Sequence, residues 1–475
     1  MSTKTLWTFA ITSLALFMTT LDNLVVTSAI PVIRRDLHAG VNGLEWTVNA
    51  YTLTFAVFLL TGAALGDRFG RRRMFTVGIA LFTAASAAAA LAPSIAALDA
   101  ARAVQGLGGA LVTPLTLTIL SAAVPANKRG LALGVWGGIS GLAVAFGPLV
   151  GGAVVDGISW QWIFWLNVPL GLLLIPLALM RLDESYGPSN RLDLRGLLLA
   201  STGLVGIVWG LVRGNEIGWA SLQIVGPIVA GLTLLAAFVA WELRSPAPML
   251  PLRFFRNRTF ALANAVSLLM SFGMFGAIFL LAQYFQTVQG YSPLQSGLRF
   301  LPWTAMPMIV APIAGARSDK IGGYKLLAVG LALQAAGLAW IAAIATPTTP
   351  YIELVGPFVL AGIGMAHFFA PVANVVLSAV RPEEEGQASG ANNALRELGG
   401  VFGVAILASI FTSYGGYGSG QHFVAGMKPA VFVGAAIVAV GALLALAIGK
   451  RSPHAPKISK HDQLPAEIAT TEAAA

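Results

Sequence analysis

The chain has 475 residues, 56% hydrophobic and 10% charged, whereas a soluble globular chain carries about 25% charged residues and could not hide so much apolar surface in one or two cores. It contains no cysteine, which excludes disulfides and thiolate metal sites. Its net charge of +9 is gathered in short loops between apolar runs, a pattern that sets membrane orientation rather than binding nucleic acid.

Long windows carry no charge at all, among them 46–66, 74–98, 130–155, 157–180, 259–298 and 326–352. A membrane-crossing helix needs about 20 apolar residues. In chain order the pattern predicts fourteen spans: 8–32, 44–66, 74–92, 97–123, 131–156, 161–181, 194–213, 223–243, 259–287, 295–316, 325–345, 352–380, 387–412 and 427–448. The first run is too long for a signal-peptide core and reads as a retained helix. The segment 286–297, between spans 9 and 10, is polar and turn-rich. Trp160, Trp162 and Trp165, before span 6, read as an interfacial belt. With loops alternating, 22 of the 29 Lys and Arg fall on the side of the N-terminus, four on the other and three inside spans. The bias places both termini in the cytoplasm. The polar, Ala-rich tail 449–475 reads as disordered.

Span 2 ends in Leu65-Gly66-Asp67-Arg68-Phe69-Gly70, and span 10 ends in Gly315-Ala316-Arg317-Ser318-Asp319-Lys320-Ile321-Gly322. Both are a small-residue helix end followed by Asp, a base, an apolar residue and Gly. Internal repeats of this kind characterise transporters. Six spans per half would put the second copy after span 8, so its position two spans later points to an inserted pair. The expected fold is therefore an all-α polytopic membrane protein: a six-helix bundle (1–181), two inserted helices (194–243), a pseudo-symmetric six-helix bundle (259–448) and the tail.

Five ionisable groups lie clearly within predicted spans: Asp22, Arg102, Arg299, Arg396 and Glu397. A charge at the membrane centre costs about 2.5–3.5 kcal/mol on insertion scales, so such residues call for partners and function. Asp22 and Arg102 both fall in the outer half, where a carboxylate whose proton affinity changes as Arg102 approaches is a workable proton switch; a permanent structural ion pair is the alternative. Glu397 is expected to be a second protonatable or cation-binding carboxylate, or else to lock helix packing with Arg396. Arg299 is expected to snorkel from the start of span 10. Asn49, Tyr51, Trp46, Asn167, Gln283, Gln286, Trp303, His367, Asn374, Asn392 and Asn393 are candidate cavity-lining groups, with Phe272, Phe275, Phe368 and Phe369 as aromatic walls or ordinary packing.

Four motifs carry a resemblance. Asp67-Arg68-x-Gly70-Arg71-Arg72 follows span 2, and Leu98-x-x-x-Arg102-x-x-Gln105-Gly106-x-Gly108 lies on span 4. Gly147-Pro148-x-x-Gly151-Gly152 lies on span 5, and Leu21-Asp22-x-x-Val25-Val26-x-x-Ala29-Ile30-Pro31 on span 1. Taken in order, they resemble the major facilitator superfamily and, within it, the fourteen-helix drug:proton antiporter branch. The departures are Ala63 and Ala143 where Gly is usual, and Leu24 and Thr27 where Thr and Asn are usual. The resemblance implies a proton-coupled exporter of amphipathic drugs or antibiotics in a bacterial inner membrane, driven by the proton gradient, with no cofactor and no nucleic-acid partner, and working as a monomer. It places spans 1 and 4 side by side and makes Asp67, Arg68, Gly70 and Arg71, with Arg129 in a neighbouring loop, a conformational latch. Spans 5 to either side of Pro148 would form a small-residue seam that slides during export. The rivals are a uniporter or importer on the same fold, disfavoured by the span 5 motif, and a membrane-embedded enzyme, for which no clustered nucleophile or ligand set is seen.

Overall fold

In lipid a backbone must satisfy its own hydrogen bonds, as helix or closed barrel. The computed structural model, which describes residues 3–124, 129–186, 193–246, 248–381 and 384–449 (without the side chains of 121, 129–138, 140, 141, 144, 145, 312, 315–321, 370, 385 and 386), takes the helical solution throughout. The predicted tail lies outside the described residues.

The first helices are α1 (Thr3–Asp36), α2 (Val41–Phe69), α3 (Arg71–Ala90), α4 (Ile95–Ala123) and α5 (Arg129–Gly157). Next come α6 (Trp162–Trp165), α7 (Asn167–Arg181), α8 (Leu194–Ile217) and α9 (Leu222–Glu242). The remainder are α10 (Arg258–Gln283), α11 (Pro293–Thr304), α12 (Met306–Ile321), α13 (Gly323–Ile344), α14 (Tyr351–Leu377), α15 (Glu385–Tyr414) and α16 (Gly420–Ala447). Among the described residues, twelve helices are long and apolar enough to cross a membrane, with α6 and α7 counted as one and α10 extended to Val288. Two predicted spans are not among the twelve. The run 131–156 coincides with α5, whose first half has side chains outside the description. The run 295–316 is divided into α11 and α12 at Ala305. Pro307 has no N–H to return to the carbonyl four residues back, which explains a break the apolar pattern could not reveal. The same argument applies at Leu166, where Pro169 follows the division between α6 and α7.

The turn-rich segment before α11 resolves into a widened helical turn over Tyr284–Val288, Gly290 at φ +71°, and a reciprocal cap in which Ser292 and Gln295 bond each other's backbone. The two repeat loops share a conformation. Gly70 has φ 102° and ψ 127°, and Gly322 has φ 96° and ψ 124°, a region closed to residues with a Cβ. Gly218, in the hairpin between α8 and α9, does the same at φ 98° and ψ 126°. The geometry therefore belongs to tight helical hairpins in general.

Helices α1–α7 pack among themselves, as do α10–α16. Small residues set the spacing. A Cβ at Gly106 would stand 2.3 Å from the Tyr51 carbonyl oxygen, and one at Gly403 would stand 2.1 Å from that of Phe272. Between the two groups, α5 meets α11, where a Cβ at Gly152 would lie 2.3 Å from Pro293 O and one at Gly297 would lie 2.3 Å from Pro148 O. Asp156 accepts a hydrogen bond from Ser292 at 2.8 Å, and Gln286 donates to Ser28 O at 2.9 Å. These bridges cluster at the end opposite the Arg68–Arg73 loop, called here the far end; the other is the basic end. Helix α8 lies against both α2 and α15, and Asn215 at its far end binds Ser409 and Thr412. Its partner α9 packs on α8 and is otherwise largely exposed, as an apolar helix facing lipid would be.

Candidate functional site

Asp22 is 1% exposed in the middle of α1, and Arg102 is fully buried in the second turn of α4. The structure brings them together: Arg102 Nη1 donates to Asp22 Oδ2 at 2.5 Å and to Gln105 Oε1 at 2.8 Å. Gln105 Nε2 donates to Asp22 Oδ1 and to Ser86 Oγ, both at 2.8 Å. Asn167, at the start of α7, donates to Asp22 Oδ1 at 2.7 Å. Arg102 Nε donates to the Thr47 carbonyl at 3.1 Å, and its guanidinium stands 4.3 Å from the centre of the Tyr51 ring. Arg102 Nη2 has no hydrogen-bond partner among the described residues. Five helices thus converge on one carboxylate that accepts three donors. Removing one partner of such a buried pair is costly because it strands the other.

Gln105 was legible as a motif position and Asn167 only as a cavity candidate; both instead bind the acid directly. Ser86, Thr47 and Asp99 carried no signal beyond being polar on apolar helices. Thr47 Oγ1 lies 2.8 Å from Asp99 Oδ1 and 3.0 Å from Gly43 O. The count of five charged groups within spans was too low. Asp99, Glu45 and Glu242 also lie on spanning helices, and the last two are 1% and 3% exposed. They were missed because apolar averaging places span ends near them.

The second predicted pair is built differently. Arg396 Nη2 reaches Glu397 Oε1 at 3.2 Å, although the residues are neighbours on α15. Glu397 Oε2 has no partner among the described residues. One turn before it, Ala394 of α15 packs into the first-half cluster that contains Tyr51 and Phe55. Arg396 is 29% exposed at its side chain and stands 5.9 Å from the Phe369 ring.

At the basic end Asp67 accepts from Arg71 Nη2 at 2.9 Å and from its Nε at 3.0 Å, within its own loop. The Arg68 guanidinium lies 5.1 Å from the Phe69 ring. The Arg129 side chain, the expected partner, lies outside the described residues. Glu184, which sequence reading passed over, caps α3 by accepting from Arg72 N at 2.9 Å and Arg73 N at 3.3 Å. Gly70 has no room for a side chain beside this carboxylate.

The α5 motif sits where expected, against α1. A Cβ at Gly151 would lie 2.6 Å from Val25 O, and one at Gly147 would lie 2.6 Å from Leu24 Cβ. Pro148 O accepts from Ser28 Oγ at 3.0 Å, and Gly152 faces Pro293.

The remaining cavity candidates divide. Asn49 is fully buried with neither amide atom partnered among the described residues, and Trp303 Nε1 is likewise unpartnered. Asn393 is half-buried and Asn374 exposed. Gln283 is engaged at the far end, accepting from the Tyr417 hydroxyl and donating to Phe279 O at 3.0 Å. The Arg34 guanidinium covers that Tyr417 ring at 3.5 Å, and burial pushes the phenol well above its usual range. Trp46 packs 6.2 Å from Trp209 of α8, and His367 Nδ1 bonds its own helix at Ile363 O. Asn392 ties α15 to α10 through Asn264 and Ser267. Phe272 is buried against Gly403, Phe275 meets Gly400, and Phe368 and Phe369 meet edge to face at 5.4 Å. Arg299 does not snorkel freely; it is clasped by the rings of Tyr291 at 3.4 Å and Tyr351 at 5.1 Å. Trp160 is buried rather than interfacial, because its indole N–H reaches Asp36 at 2.9 Å.

The sequence profile of the Major Facilitator Superfamily matches residues 12–404 and 305–473. The chain is 38% identical over 416 residues to the multidrug resistance protein Stp of Mycobacterium tuberculosis (strain CDC 1551 / Oshkosh), covering 87% of this chain and 77% of that one. It is 33% identical over 449 residues to the puromycin resistance protein pur8 of Streptomyces alboniger, covering 93% and 88%. Among solved structures, a POT family transporter in complex with a thioalcohol-conjugated peptide superposes with a TM-score of 0.71 at 15% identity, over 93% of this chain and 96% of that one. That likeness concerns the fold.

Proposed function

The chain belongs to the major facilitator superfamily and is a multi-pass membrane transporter, and on that premise we propose that it is a proton-coupled exporter of amphipathic drugs or antibiotics. In this reading fourteen spans cross the bacterial inner membrane, with both termini cytoplasmic. The bundles 1–181 and 259–448 alternate access around a central cavity, and 194–243 is an insert. It works as a monomer, and the proton gradient supplies the energy.

The observation that carries the reading is the Asp22 centre. Asp22 lies where two sets of contacts within the first bundle meet on α1. Its hydrogen-bond donors stand on α4 and α7, while two to three residues further along α1 the backbone rests on the glycines of α5. A slide of α1 along the α5 seam shifts Asp22 relative to Arg102 by a fraction of a helical turn. With Arg102 and the amides in place, the carboxylate is held charged; with one of them withdrawn, burial favours the neutral acid and Asp22 takes a proton. Proton uptake and a change in helix packing are thereby the same event. Glu397, with an acceptor oxygen free and facing the first half, supplies the charge that holds a cationic group of the cargo. Asn49 and Trp303 offer uncommitted polar atoms to neutral ones. The names of the relatives, a multidrug resistance protein and a puromycin resistance protein, support drugs as the cargo.

The test is transport by purified protein in proteoliposomes under an imposed pH gradient, with puromycin and a panel of cationic, neutral and anionic antibiotics. Accumulation that collapses when a protonophore dissipates the gradient supports antiport. Movement indifferent to the gradient identifies a facilitator on the same fold.

A further inference from the structure

Beyond the Asp22–Arg102 pair, the centre holds a second acid, and we propose that Asp99 is the far-side proton station that loads Asp22. This deepens the coupling reading above and rests on it. Asp99 stands three residues before Arg102 on α4, about 4.5 Å nearer the far end at 1.5 Å per residue. It is half-buried, whereas Asp22 and Arg102 are sealed. Asp99 is therefore the more accessible of the two acids and the nearer to the far end.

The chemistry around Asp99 accommodates both of its protonation states. The Thr47 hydroxyl has one proton and two acceptors within reach, Asp99 Oδ1 at 2.8 Å and Gly43 O at 3.0 Å. While Asp99 is ionised, the hydroxyl donates to it. Once Asp99 gains a proton, its own O–H donates to Thr47 Oγ1, and the Thr47 hydroxyl turns to Gly43 O. No hydrogen bond is lost in either state, so the proton comes and goes without stranding a buried group.

Charge balance supplies the driving force. Arg102 bonds Asp22 and stands close enough to Asp99 for its charge to act there. One guanidinium serves two carboxylates, so the unloaded triad carries one excess negative charge, and a single proton from far-side water neutralises it. Arg102 stays protonated throughout; when a slide of α1 withdraws Asp22 from one of its donors, the proton bound first by Asp99 moves on to Asp22, returning Asp99 to the carboxylate and leaving the triad neutral. Arg102 keeps Nη2 unbonded among the described residues, a spare donor with which to follow the charge. The same α2 backbone that accepts from Arg102 carries the hydroxyl that binds Asp99, so Thr47 ties the two acids into one unit. Among the described residues facing Asp99, Arg102 is the cation and Thr47 the polar neighbour. Glu45, two residues from Thr47 on α2, is buried at 1% exposure.

The experiment varies far-side pH in proteoliposomes and reads substrate-driven proton flux with puromycin as the probe, for the wild type, Asp99→Asn, Asp99→Glu and Thr47→Val. The expected result is a drop of about tenfold in Asp99→Asn at neutral far-side pH, recovering as the far side is acidified until Asp22 is reached directly. Asp99→Glu restores the wild-type profile, and Thr47→Val shifts it part of the way. A substrate-free reading accompanies it: the infrared carboxylic C=O signal on acid titration should lose one component in Asp99→Asn and another in Asp22→Asn. An unchanged far-side pH profile in Asp99→Asn, with coupled flux intact, would overturn the station while leaving antiport standing. A wild type without any puromycin- or antibiotic-driven proton flux would overturn both, and an infrared titration in which Asp99→Asn matches the wild type would overturn the station on its own.

Discussion

The two intramembrane acid–arginine pairs sit in opposite halves and are built on opposite plans. Asp22 and Arg102 come from different helices, are sealed from solvent, and are held by Gln105 of α4 and by Asn167 and Thr47 from further elements. Arg396 and Glu397 are neighbours on one helix; the arginine is 29% exposed at its side chain and the acid keeps an oxygen free. A charge pair spread across helices reports their relative position, whereas a pair within one helix moves as a unit and cannot. In the proposed mechanism the first pair carries conformational coupling and the second carries cargo contact.

The largest expected effect breaks the first pair. Arg102→Ala leaves Asp22 buried without its cation and should destabilise the fold by about 3–5 kcal/mol, seen as loss of protein from the membrane fraction and a lower melting temperature in detergent. Arg102→Lys keeps the charge but loses the planar fork that reaches Asp22, Gln105 and Thr47 together, and should fall between. A melting temperature unchanged in Arg102→Ala would remove the pair from the stability account.

Next comes the far-end closure between the halves. Asp156 and Ser292 meet at 2.8 Å, and the chain has no native cysteine, so the double variant D156C/S292C is a clean cross-link. Oxidation should join the two sites and arrest transport, and reductant should restore it. Full transport by the cross-linked protein would mean that this end does not open.

Glu397→Gln is expected to act selectively. The amide still meets Arg396, so stability should change little, while transport of cationic drugs should fall several-fold more than that of neutral ones. Equal rates for every substrate, with the same pH dependence, would end the cargo role.

The smallest effect on stability belongs to Asp67→Asn. Its ion pair with Arg71 is a partly exposed i,i+4 contact, worth about 0.3–0.5 kcal/mol. A latch role requires transport to fall several-fold despite that, measured as initial rate per folded molecule; a transport loss no larger than the stability change would reduce Asp67 to a helix-end charge.

Much of this was legible in the sequence. Charge-free runs located the helices, and the cost of burying charge singled out Asp22, Arg102 and Glu397 before any contact was known. What stayed hidden was of two kinds. Asn167 reaches Asp22 from 145 residues along the chain and Ser86 meets Gln105 from the preceding helix, and neither residue type carries a charge to advertise it. Glu184 lies 112 residues from the α3 N-terminus that it caps, a pairing set by tertiary packing. The break at Ala305 was concealed for the opposite reason: the apolar run continues straight across it, and only the missing N–H of Pro307 interrupts the helix. Trp160 misled because a Trp after a span exit fits an interfacial belt as well as it fits a buried indole seeking Asp36.

The central claim is that Asp22 takes up the coupling proton, and it is tested most directly by a pH-sensitive dye trapped in proteoliposomes, read on addition of a transported antibiotic. The wild type should show substrate-dependent proton movement, and Asp22→Asn, shown by its melting profile to be folded, should show none. Proton movement of wild-type size in folded Asp22→Asn would contradict the account and shift the coupling site away from α1.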